Sequence, residues 1–300
     1  MGRERGHRQH TRTDNLVGPQ REALKPLRPA AVAGTWYPAD GEALSAEVDG
    51  YLRRASESRR PRVRALIAPH AGLVYSGPVA AHAYAAVRGG PYDVVVLVGP
   101  SHFIGFDGVS VYERGAFDTP LGPITVDAAL AARLHTRSPL VVLNPEAHAR
   151  EHSLELQLPF LRRVLPDTPI VPLVVGYQVR STILALADVL AETLADTRAL
   201  LVASTDLSHY FDADRAAELD GRVAGFVDRF DADGLLTEFE RYPEPERGRS
   251  VACGGGAAIS VMRAARALGA TRGQVLMRAD SGDVSGDKRQ VVGYLAAVME

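Results

Sequence analysis

The sequence predicts an α/β fold: a single domain with a mixed or parallel central sheet and helices on both of its faces. Two observations predict it. Short runs of strand length are apolar at nearly every position, which is typical of strands covered by helices on both sides. Amphipathic helical patterns separate these runs, so strand and helix alternate along the chain, as they do in sheets built from β-α-β units.

The predicted elements follow one another in a regular order. An amphipathic helix is predicted over 41–55, because Leu44, Val48 and Leu52 recur every four residues and Asp40 can cap the first turn. Apolar runs predict five strands, at 63–68, 94–98, 170–175, 199–203 and 290–298. Helical patterns lie at 78–88, 127–135, 151–165, 181–194, 214–230 and 255–268. A surface loop is predicted over 242–248 and a solvated turn over 279–287.

Charge and composition exclude several classes of protein. The 300 residues include 34 Lys and Arg against 36 Asp and Glu, so no domain-wide positive field favours nucleic acid. The longest uncharged stretch, 65–87, contains prolines, glycines and histidines that a membrane-spanning helix would not tolerate together. The single cysteine, Cys253, precludes an internal disulfide. We therefore expect a cytoplasmic protein that binds neither nucleic acid nor membrane.

Residues 1–28 differ from the rest of the chain in composition. Seven basic and three acidic residues give this segment a net charge of +4, and it has few apolar side chains. Because such a segment cannot bury enough apolar surface to offset the entropy lost on ordering, we expect a disordered basic tail. Residues 29–300 are expected to form one α/β domain, since no linker or internal repeat divides them.

Polar side chains follow three of the predicted strands. The first strand runs into His70 and the second into His102, while 199–203 leads through Asp206 to His209. In open α/β sheets the loops beyond the carboxyl ends of the strands converge, and ligands bind there. The three histidines are therefore predicted to be neighbours.

Cys253 is predicted to belong to the same site. It precedes three glycines and a helical pattern, and a helix N-terminus favours the thiolate, which is both a nucleophile and a soft metal ligand. Two imidazoles and one thiolate leave coordination positions open, as in catalytic metal sites. We therefore predict His70, His102 and Cys253 as metal ligands. His209 is predicted to move a proton and Asp206 to orient it.

Four further side chains are candidates for the pocket wall. Trp36, the only tryptophan, and Tyr75 are predicted there, with a place in the aromatic core as the alternative. His152 and Glu155 lie three residues apart in the helix predicted over 151–165, so they would share a face. Both are predicted to bind substrate, with capping or salt bridging as the alternative.

Seven motifs occur in order from about residue 28 to the end of the sequence. They are VAGTWYPAD, APHAG followed by Tyr75-Ser76-Gly77, GPSHF, EHSLELQLPFL, the run from Ser204 to His209, ACGGG and SGDVSGDK. Together they resemble the Memo family (mediator of cell motility), whose bacterial members are labelled AmmeMemoRadiSam system protein B. That label implies AMMECR-domain and radical-SAM proteins as partners.

The Memo family is similar in fold to the class III extradiol dioxygenases. In those enzymes two histidines and a glutamate hold non-haem Fe(II), and a further histidine acts in acid/base catalysis. By motif, His70 and His102 match the histidine ligands. Cys253 stands where the carboxylate would be, and His209 matches the acid/base residue. A thiolate is softer than a carboxylate and suits Cu(I) or Zn as well as Fe(II). The expected cofactor is Fe(II) or copper, with no nucleotide cofactor.

Three functions remain open at this stage. The first is a metal-dependent redox enzyme of the oxygenase type. The second is a non-catalytic module that binds a small molecule or a phosphopeptide in the same pocket, since metazoan relatives are linked to signalling. The third is a hydrolase in which Cys253 is the nucleophile, His209 the base and Asp206 the group that orients the base.

Overall fold

The computed structural model describes Gly2 and residues 26–55 and 58–300. Its strands are β1 (Leu27–Arg28), β2 (Ala65–Ala68), β3 (Val94–Pro100), β4 (Val109–Val111), β5 (Ala116–Phe117), β6 (Ile124–Thr125), β7 (Val141–Val142), β8 (Ile170–Val175), β9 (Ala199–Ser204), β10 (His209–Phe211), β11 (Gly273–Asp280) and β12 (Val291–Met299). Its helices are α1 (Gly41–Arg54), α2 (Leu73–Ala85), α3 (Ala128–Arg137), α4 (Glu146–Ala149), α5 (Leu158–Val164), α6 (Arg180–Leu194), α7 (Ala213–Asp228), α8 (Ala232–Glu240), α9 (Glu244–Ser250), α10 (Gly255–Ala267) and α11 (Gly282–Ser285). A 3₁₀ turn, Glu155–Gln157, precedes α5.

Among the described residues, a nine-stranded mixed sheet forms the centre of the structure. Its order is β10-β12-β2-β9-β3-β8-β4-β7, with β11 paired to β12. The strands β2, β9, β3 and β8 run parallel to one another. On either side of them, β12 is antiparallel to β2 and β4 is antiparallel to β8. A small separate sheet joins β1, β5 and β6. The predicted mixed sheet is therefore confirmed.

The central strands are apolar on both faces because helices cover both faces. In β3, Val94, Val96 and Val98 face one core, whereas Val95 and Leu97 face the other, as the two-residue period of a strand requires. Helices α3, α6, α7, α8 and α10 close the first core, and α1, α2 and α5 close the second. Full burial of each such side chain stabilises the fold by about 1.5–3 kcal/mol. The predicted arrangement of helices on both faces is confirmed.

The five predicted strands are present, with ends that differ by at most two residues from the prediction. The same holds for α1, α3, α6, α7 and α10. Asp40 caps α1 as predicted, since its Oδ1 accepts a hydrogen bond from the Ala43 N–H at 2.8 Å. Strand length, apolar runs and caps are local properties, so the sequence is sufficient to predict them.

The helix predicted to start at residue 78 begins earlier. α2 starts at Leu73 and contains Pro78 in its interior. Proline is common in the first turn of a helix and rare in its interior, so the position of Pro78 gives no sign of the earlier start. In the structure the chain already turns at Gly72, whose carbonyl accepts from the Ser76 N–H at 3.1 Å. The earlier start places the first turn of α2 beside the candidate site.

The helix predicted over 151–165 is wrong in its first four residues, because the 3₁₀ turn and α5 together cover only 155–164. The backbone at its beginning is held by a side chain instead. The Ser153 N–H donates to the carboxylate of Glu151 at 2.8 Å, which is a local contact that competes with helix. His152 therefore shares no helix face with Glu155.

Two segments predicted as irregular contain regular structure. The predicted loop 242–248 overlaps α9, which has a proline in its first turn. The predicted turn 279–287 includes the end of β11 and the short helix α11. β11 itself was not predicted, because its residues are only partly buried and show neither a continuous nor an alternating apolar pattern.

The helices are short relative to a membrane. α7 has 16 residues and α6 has 15. Within the described ranges, no helix combines the length and the apolar character that a bilayer crossing requires.

The predicted disordered tail, 1–28, lies almost wholly outside the described residues. At its end, however, Leu27–Arg28 form β1, which pairs with β5. Arg28 is buried and forms an ion pair with Glu155, and its guanidinium also donates to two backbone carbonyls at 2.6 and 3.0 Å. Leu27 and Arg28 are therefore joined to the described fold on the N-terminal side of the predicted boundary at residue 29.

The carboxylate of Glu155 holds the segment that follows β1. Besides the Arg28 guanidinium, it accepts the backbone N–H groups of Ala31 (2.8 and 2.9 Å) and Val32 (3.0 Å) and the hydroxyl of Tyr37 (2.7 Å). Glu155 is fully buried and surrounded by donors of the chain itself. The salt-bridging alternative for Glu155 fits the structure, and the predicted substrate-binding role does not.

A substitution of Arg28 tests how much its ion pair with Glu155 stabilises the fold. The Arg28→Met variant leaves the Glu155 carboxylate buried without its cation, so its free energy of unfolding is expected to fall by about 3–5 kcal/mol in urea denaturation. Arg163→Met is the matched control, because the Arg163–Asp49 pair is partly exposed and its loss is expected to cost about 0–1 kcal/mol. Equal decreases in the free energy of unfolding of the two variants would contradict a special stabilising role for the Arg28–Glu155 pair.

Candidate metal centre

Strand ends place the candidate ligands at one edge of the sheet. His70 and His102 each follow the end of a strand, β2 and β3, by two residues, while Cys253 shortly precedes α10. Because β9 lies between β2 and β3 and runs parallel to both, these ends meet. A ring nitrogen of His70, a ring nitrogen of His102 and the sulfur of Cys253 lie within 4.8 Å of one another. The structure thus brings the predicted ligand set together.

The imidazole of His70 is held from both sides. Its Nδ1 lies 2.8 Å from the hydroxyl of Ser204, and its Nε2 lies 3.2 Å from the sulfur of Cys253. The backbone N–H of His70 donates to the carboxylate of Asp206 at 2.7 Å. Because His70 is 1% exposed, water does not compete with these contacts. The ring therefore presents Nε2 to the pocket.

Glu151 holds His102 by two contacts. Its carboxylate accepts the backbone N–H of His102 at 2.7 Å and lies 2.9 Å from Nδ1. Burial lowers the pKa of His102, but hydrogen bonds to Cys253 and Glu151 outweigh burial and raise the pKa to about 10. Burial raises the pKa of Glu151, but its contacts with His102 outweigh this and lower it to about 2. A carboxylate that binds Nδ1–H leaves Nε2 of His102 for a ligand.

The sulfur of Cys253 lies among donors. The backbone N–H of Asp206 points at it from 3.3 Å. Burial raises the pKa of the thiol, but the charge of His70 and the hydrogen bonds with His102 and His70 outweigh burial and lower the pKa to about 6. At neutral pH the sulfur is therefore a thiolate, which is the form that binds metal ions.

The loop around Cys253 requires a glycine at position 254 and is held by the side-chain amide of Gln178. A Cβ atom on Gly254 would lie 2.4 Å from the carbonyl oxygen of Ser204, so no other residue allows this approach. Gln178 Nε2 donates to the Cys253 carbonyl at 2.7 Å, and Gln178 Oε1 accepts the N–H of Gly256, also at 2.7 Å. These contacts hold the thiolate against the end of β9.

His209 and Asp206 lie beside the ligand set. A ring nitrogen of His209, a carboxylate oxygen of Asp206 and the sulfur of Cys253 lie within 4.8 Å of one another. His209 Nδ1 donates to the carbonyl of Leu207 at 2.8 Å. The predicted orienting contact from Asp206 is therefore replaced by a backbone carbonyl. Asp206 is buried, which raises its pKa although the charge of His209 opposes the shift, and its carboxylate instead holds the backbone of His70.

His152 forms one wall of the pocket. Its ring stacks on His102 with 4.4 Å between centroids and meets His70 edge-on at 5.6 Å. Trp36 lies 4.3 Å away on another side and Phe103 lies 5.8 Å away. Burial and the charges of His70 and His102 lower the pKa of His152 to about 3, so this ring is neutral. The structure places His152 at the pocket, although not through the helix face that the sequence suggested.

Trp36 lies against the ring of His152, and Tyr75 lies in a segment that adjoins Trp36. Both are partly exposed, at 37% and 38%, so neither is a core aromatic. Tyr75 lies in the first turn of α2, and the N–H of Leu73 in the same turn donates to the carbonyl of Trp36 at 2.8 Å. This hydrogen bond joins the two segments that carry the aromatic side chains.

Sequence reasoning missed Glu151, Ser204 and Phe103. Ser204 is the last residue of β9, so the rule that pointed to residues after strand ends could have found it. Phe103 directly follows His102 and could have been found in the same way. For Glu151 no local pattern distinguishes the pocket-facing carboxylate from Glu155, because the two differ only in which distant residues they contact.

The donor set fits a metal ion. His70 and His102 each have Nδ1 engaged by a protein group. The Nε2 of His70 lies 3.2 Å from the sulfur of Cys253, and a ring nitrogen of His102 lies within 4.8 Å of it. Such contacts to the other ring nitrogen are typical of metal-binding histidines. Two imidazoles and one thiolate suit Fe(II), copper or zinc rather than magnesium or calcium. His70, His102 and Cys253 can therefore hold one metal ion.

Comparisons with known proteins agree with the motifs. A family model described as Memo-like protein matches residues 28–298. A MEMO1 family protein of Methanosarcina mazei is 38% identical over 280 residues, which is 91% of this chain and 99% of that protein. Another, from Methanothermobacter thermautotrophicus, is 35% identical over 280 residues, or 89% of this chain and 98% of that protein.

A solved structure supports the fold. The crystal structure of an uncharacterized protein from Escherichia coli K12 superposes with a TM-score of 0.54 and covers 78% of this chain and 99% of that one. At 17% identity this likeness supports the architecture alone. Matches over nearly the full length of both sequences carry the family assignment. The chain therefore belongs to the Memo family.

Proposed function

We propose that this protein is a metal-dependent redox enzyme of the oxygenase type, with one Fe(II) or copper ion on His70, His102 and Cys253. The observation that carries this proposal is the convergence of a ring nitrogen of His70 and a ring nitrogen of His102 on the sulfur of Cys253, all within 4.8 Å of one another. Three protein ligands leave coordination positions open, which is typical of catalytic rather than structural sites. Bound there, the ion would supply Lewis-acid and one-electron chemistry.

His209 is the proposed proton carrier. Its Nδ1 donates to the carbonyl of Leu207, so its Nε2 is free to accept or donate a proton. A ring nitrogen of His209 lies within 4.8 Å of the sulfur of Cys253, and this closeness to the proposed metal ligand supports the role. Neighbouring His152 does not fit this role, because its lowered pKa keeps it neutral.

The walls of the pocket support an organic substrate. Trp36, His152 and Phe103 provide flat, mostly apolar surfaces beside the proposed ligands. The guanidinium of Arg150 lies 4.8 Å from the centre of the Phe103 ring, so a positive charge borders the same mouth. A planar, negatively charged group could stack on these rings and pair with the guanidinium of Arg150.

A second candidate function uses Cys253 as a nucleophile. The lowered pKa of the thiol favours it, since the thiolate is the reactive form. The hydrolase arrangement that the sequence suggested is weakened by the contact of His209 with Leu207, because Asp206 does not hold the base through Nδ1. The metal-dependent function therefore ranks first.

Metal content tests the first function directly. Protein purified without oxygen and dialysed is expected to hold close to one iron or copper ion per chain by mass spectrometry, and Cys253→Ser is expected to lose most of it, since a hydroxyl is a poor soft-metal ligand. His135→Gln is the control, because His135 contacts the carbonyl of Val141 outside the site. Equal and negligible metal in all three proteins would contradict the proposal.

Alkylation of Cys253 separates the two functions. In chelator-treated protein the rate of reaction with iodoacetamide is expected to be low below pH 6 and to rise around pH 6, because the thiolate forms above the pKa of about 6. An unperturbed cysteine reacts with a midpoint near pH ~8.5. Added Fe(II) or Cu(I) is expected to protect the thiolate. Reaction that is insensitive to either ion would favour the nucleophile.

A further inference from the structure

A buried chain of hydrogen bonds reaches His70 from the interior of the protein. The hydroxyl of Tyr84 in α2 lies 2.8 Å from Oε1 of Gln157. Nε2 of Gln157 lies 2.7 Å from the hydroxyl of Ser204, which in turn lies 2.8 Å from Nδ1 of His70. All four residues are at most 1% exposed, so water does not interrupt the chain.

Two backbone carbonyls determine the direction of these hydrogen bonds. The carbonyl of Pro69 lies 3.0 Å from the Gln157 amide and can only accept, so the atom that faces it is the NH₂ group. The carbonyl of Ser153 lies 2.6 Å from the hydroxyl of Ser204 and can likewise only accept, so the single hydroxyl hydrogen points to it. Neither the amide nor the hydroxyl can reverse without placing two oxygens face to face.

The hydrogen bonds of the Ser204 hydroxyl determine which ring nitrogen of His70 carries the proton. With its hydrogen committed to Ser153, the hydroxyl of Ser204 offers only lone pairs, and one of them accepts from Gln157. The other faces Nδ1 of His70. A bare Nδ1 would set lone pair against lone pair in a buried site, which is unfavourable. Nδ1 therefore carries the proton, and Nε2 is the atom that can bind a metal.

We propose that Ser204 and Gln157 are positioning residues that hold His70 in the tautomer whose Nε2 faces Cys253. Ser204 acts on the ring directly, and Gln157 acts by occupying the remaining lone pair of Ser204 and by fixing its own amide against Pro69. The importance of this tautomer for metal binding rests on the proposed function. The tautomer itself is a property of the metal-free chain.

The two candidate histidine ligands differ in the group that contacts their Nδ1 atom. His102 has a carboxylate at Nδ1, whereas His70 has a neutral hydroxyl. A carboxylate increases the basicity of the imidazole that it holds. Within this proposal His102 is the stronger donor to a metal, and Ser204 sets the orientation of His70 without adding charge to the site.

The first experiment reads the tautomer directly. Metal-free protein with ¹⁵N-labelled histidine is examined by long-range ¹H–¹⁵N correlation, which shows which ring nitrogen of His70 carries a proton. In the wild type the Nδ1 of His70 is expected to carry the proton. In Ser204→Ala the signal is expected to shift toward the Nε2–H form, which can donate to the sulfur of Cys253 at 3.2 Å. A wild-type His70 with a bare Nδ1 would overturn the proposal, and this result needs no variant to fold.

The second experiment measures metal affinity. Ser204→Ala is expected to bind Fe(II) or Cu(I) about 10–100-fold more weakly than the wild type, and Gln157→Met is expected to show a smaller loss in the same direction. Ser110→Ala is the matched control. Ser110 is also fully buried, donates to a backbone carbonyl and contacts a histidine, His148, outside the metal site.

The outcomes separate this inference from the proposed function. An equal loss of affinity in Ser110→Ala and Ser204→Ala would assign the effect to general stability and overturn the positioning role. Unchanged affinity in Ser204→Ala would overturn it as well. A wild-type protein that binds neither ion, with the Nδ1–H tautomer present, would instead contradict the proposed function and leave the hydrogen-bond chain intact.

Discussion

The parallel pairing of β2, β9 and β3 is the constraint on which the rest of the structure depends. Because β9 lies between the other two strands, their carboxyl ends meet at one edge of the sheet. His70, His102 and Ser204 are at or just beyond those ends. Both faces of these strands are covered by helices, so the strand ends are rigid as well as close. Side chains from distant segments are therefore brought together at the end of the most fully covered strands of the sheet.

The electrostatics of the site follow from its burial. Cys253 is partly buried, and the charge of His70, the hydrogen bond with His102 and the backbone N–H of Asp206 stabilise its thiolate. The carboxylate of Glu151 then balances the positive character of His102. Such mutual dependence explains why the pKa values of the thiol and of His102 shift in opposite directions. The same arrangement would favour a cation placed among these groups.

The contrast between Glu151 and Glu155 shows where prediction from the sequence fails. Both belong to one motif, four residues apart, and a helix would have put them on one face. The structure instead directs Glu151 to His102 and Glu155 to Arg28, whose position along the chain is 127 residues away. The difference arises because local contacts of Glu151 replace helix at that point. The sequence analysis identified the motif but predicted that Glu155, rather than Glu151, faces the site.

The sequence by itself determined the alternation of strands and helices, the cap of α1 by Asp40 and the positions after β2 and β3 where candidate ligands lie, because each depends on neighbours within a few residues. Only the tertiary structure decided that Leu207 holds His209, that Glu155 anchors the N-terminal segment and that Ser204 faces His70. The contacts of Glu155 with Tyr37 and of Ser204 with His70 join residues more than a hundred positions apart. The contact of His209 with Leu207 depends on a turn of the backbone. Their geometry is set by packing, which local patterns do not encode.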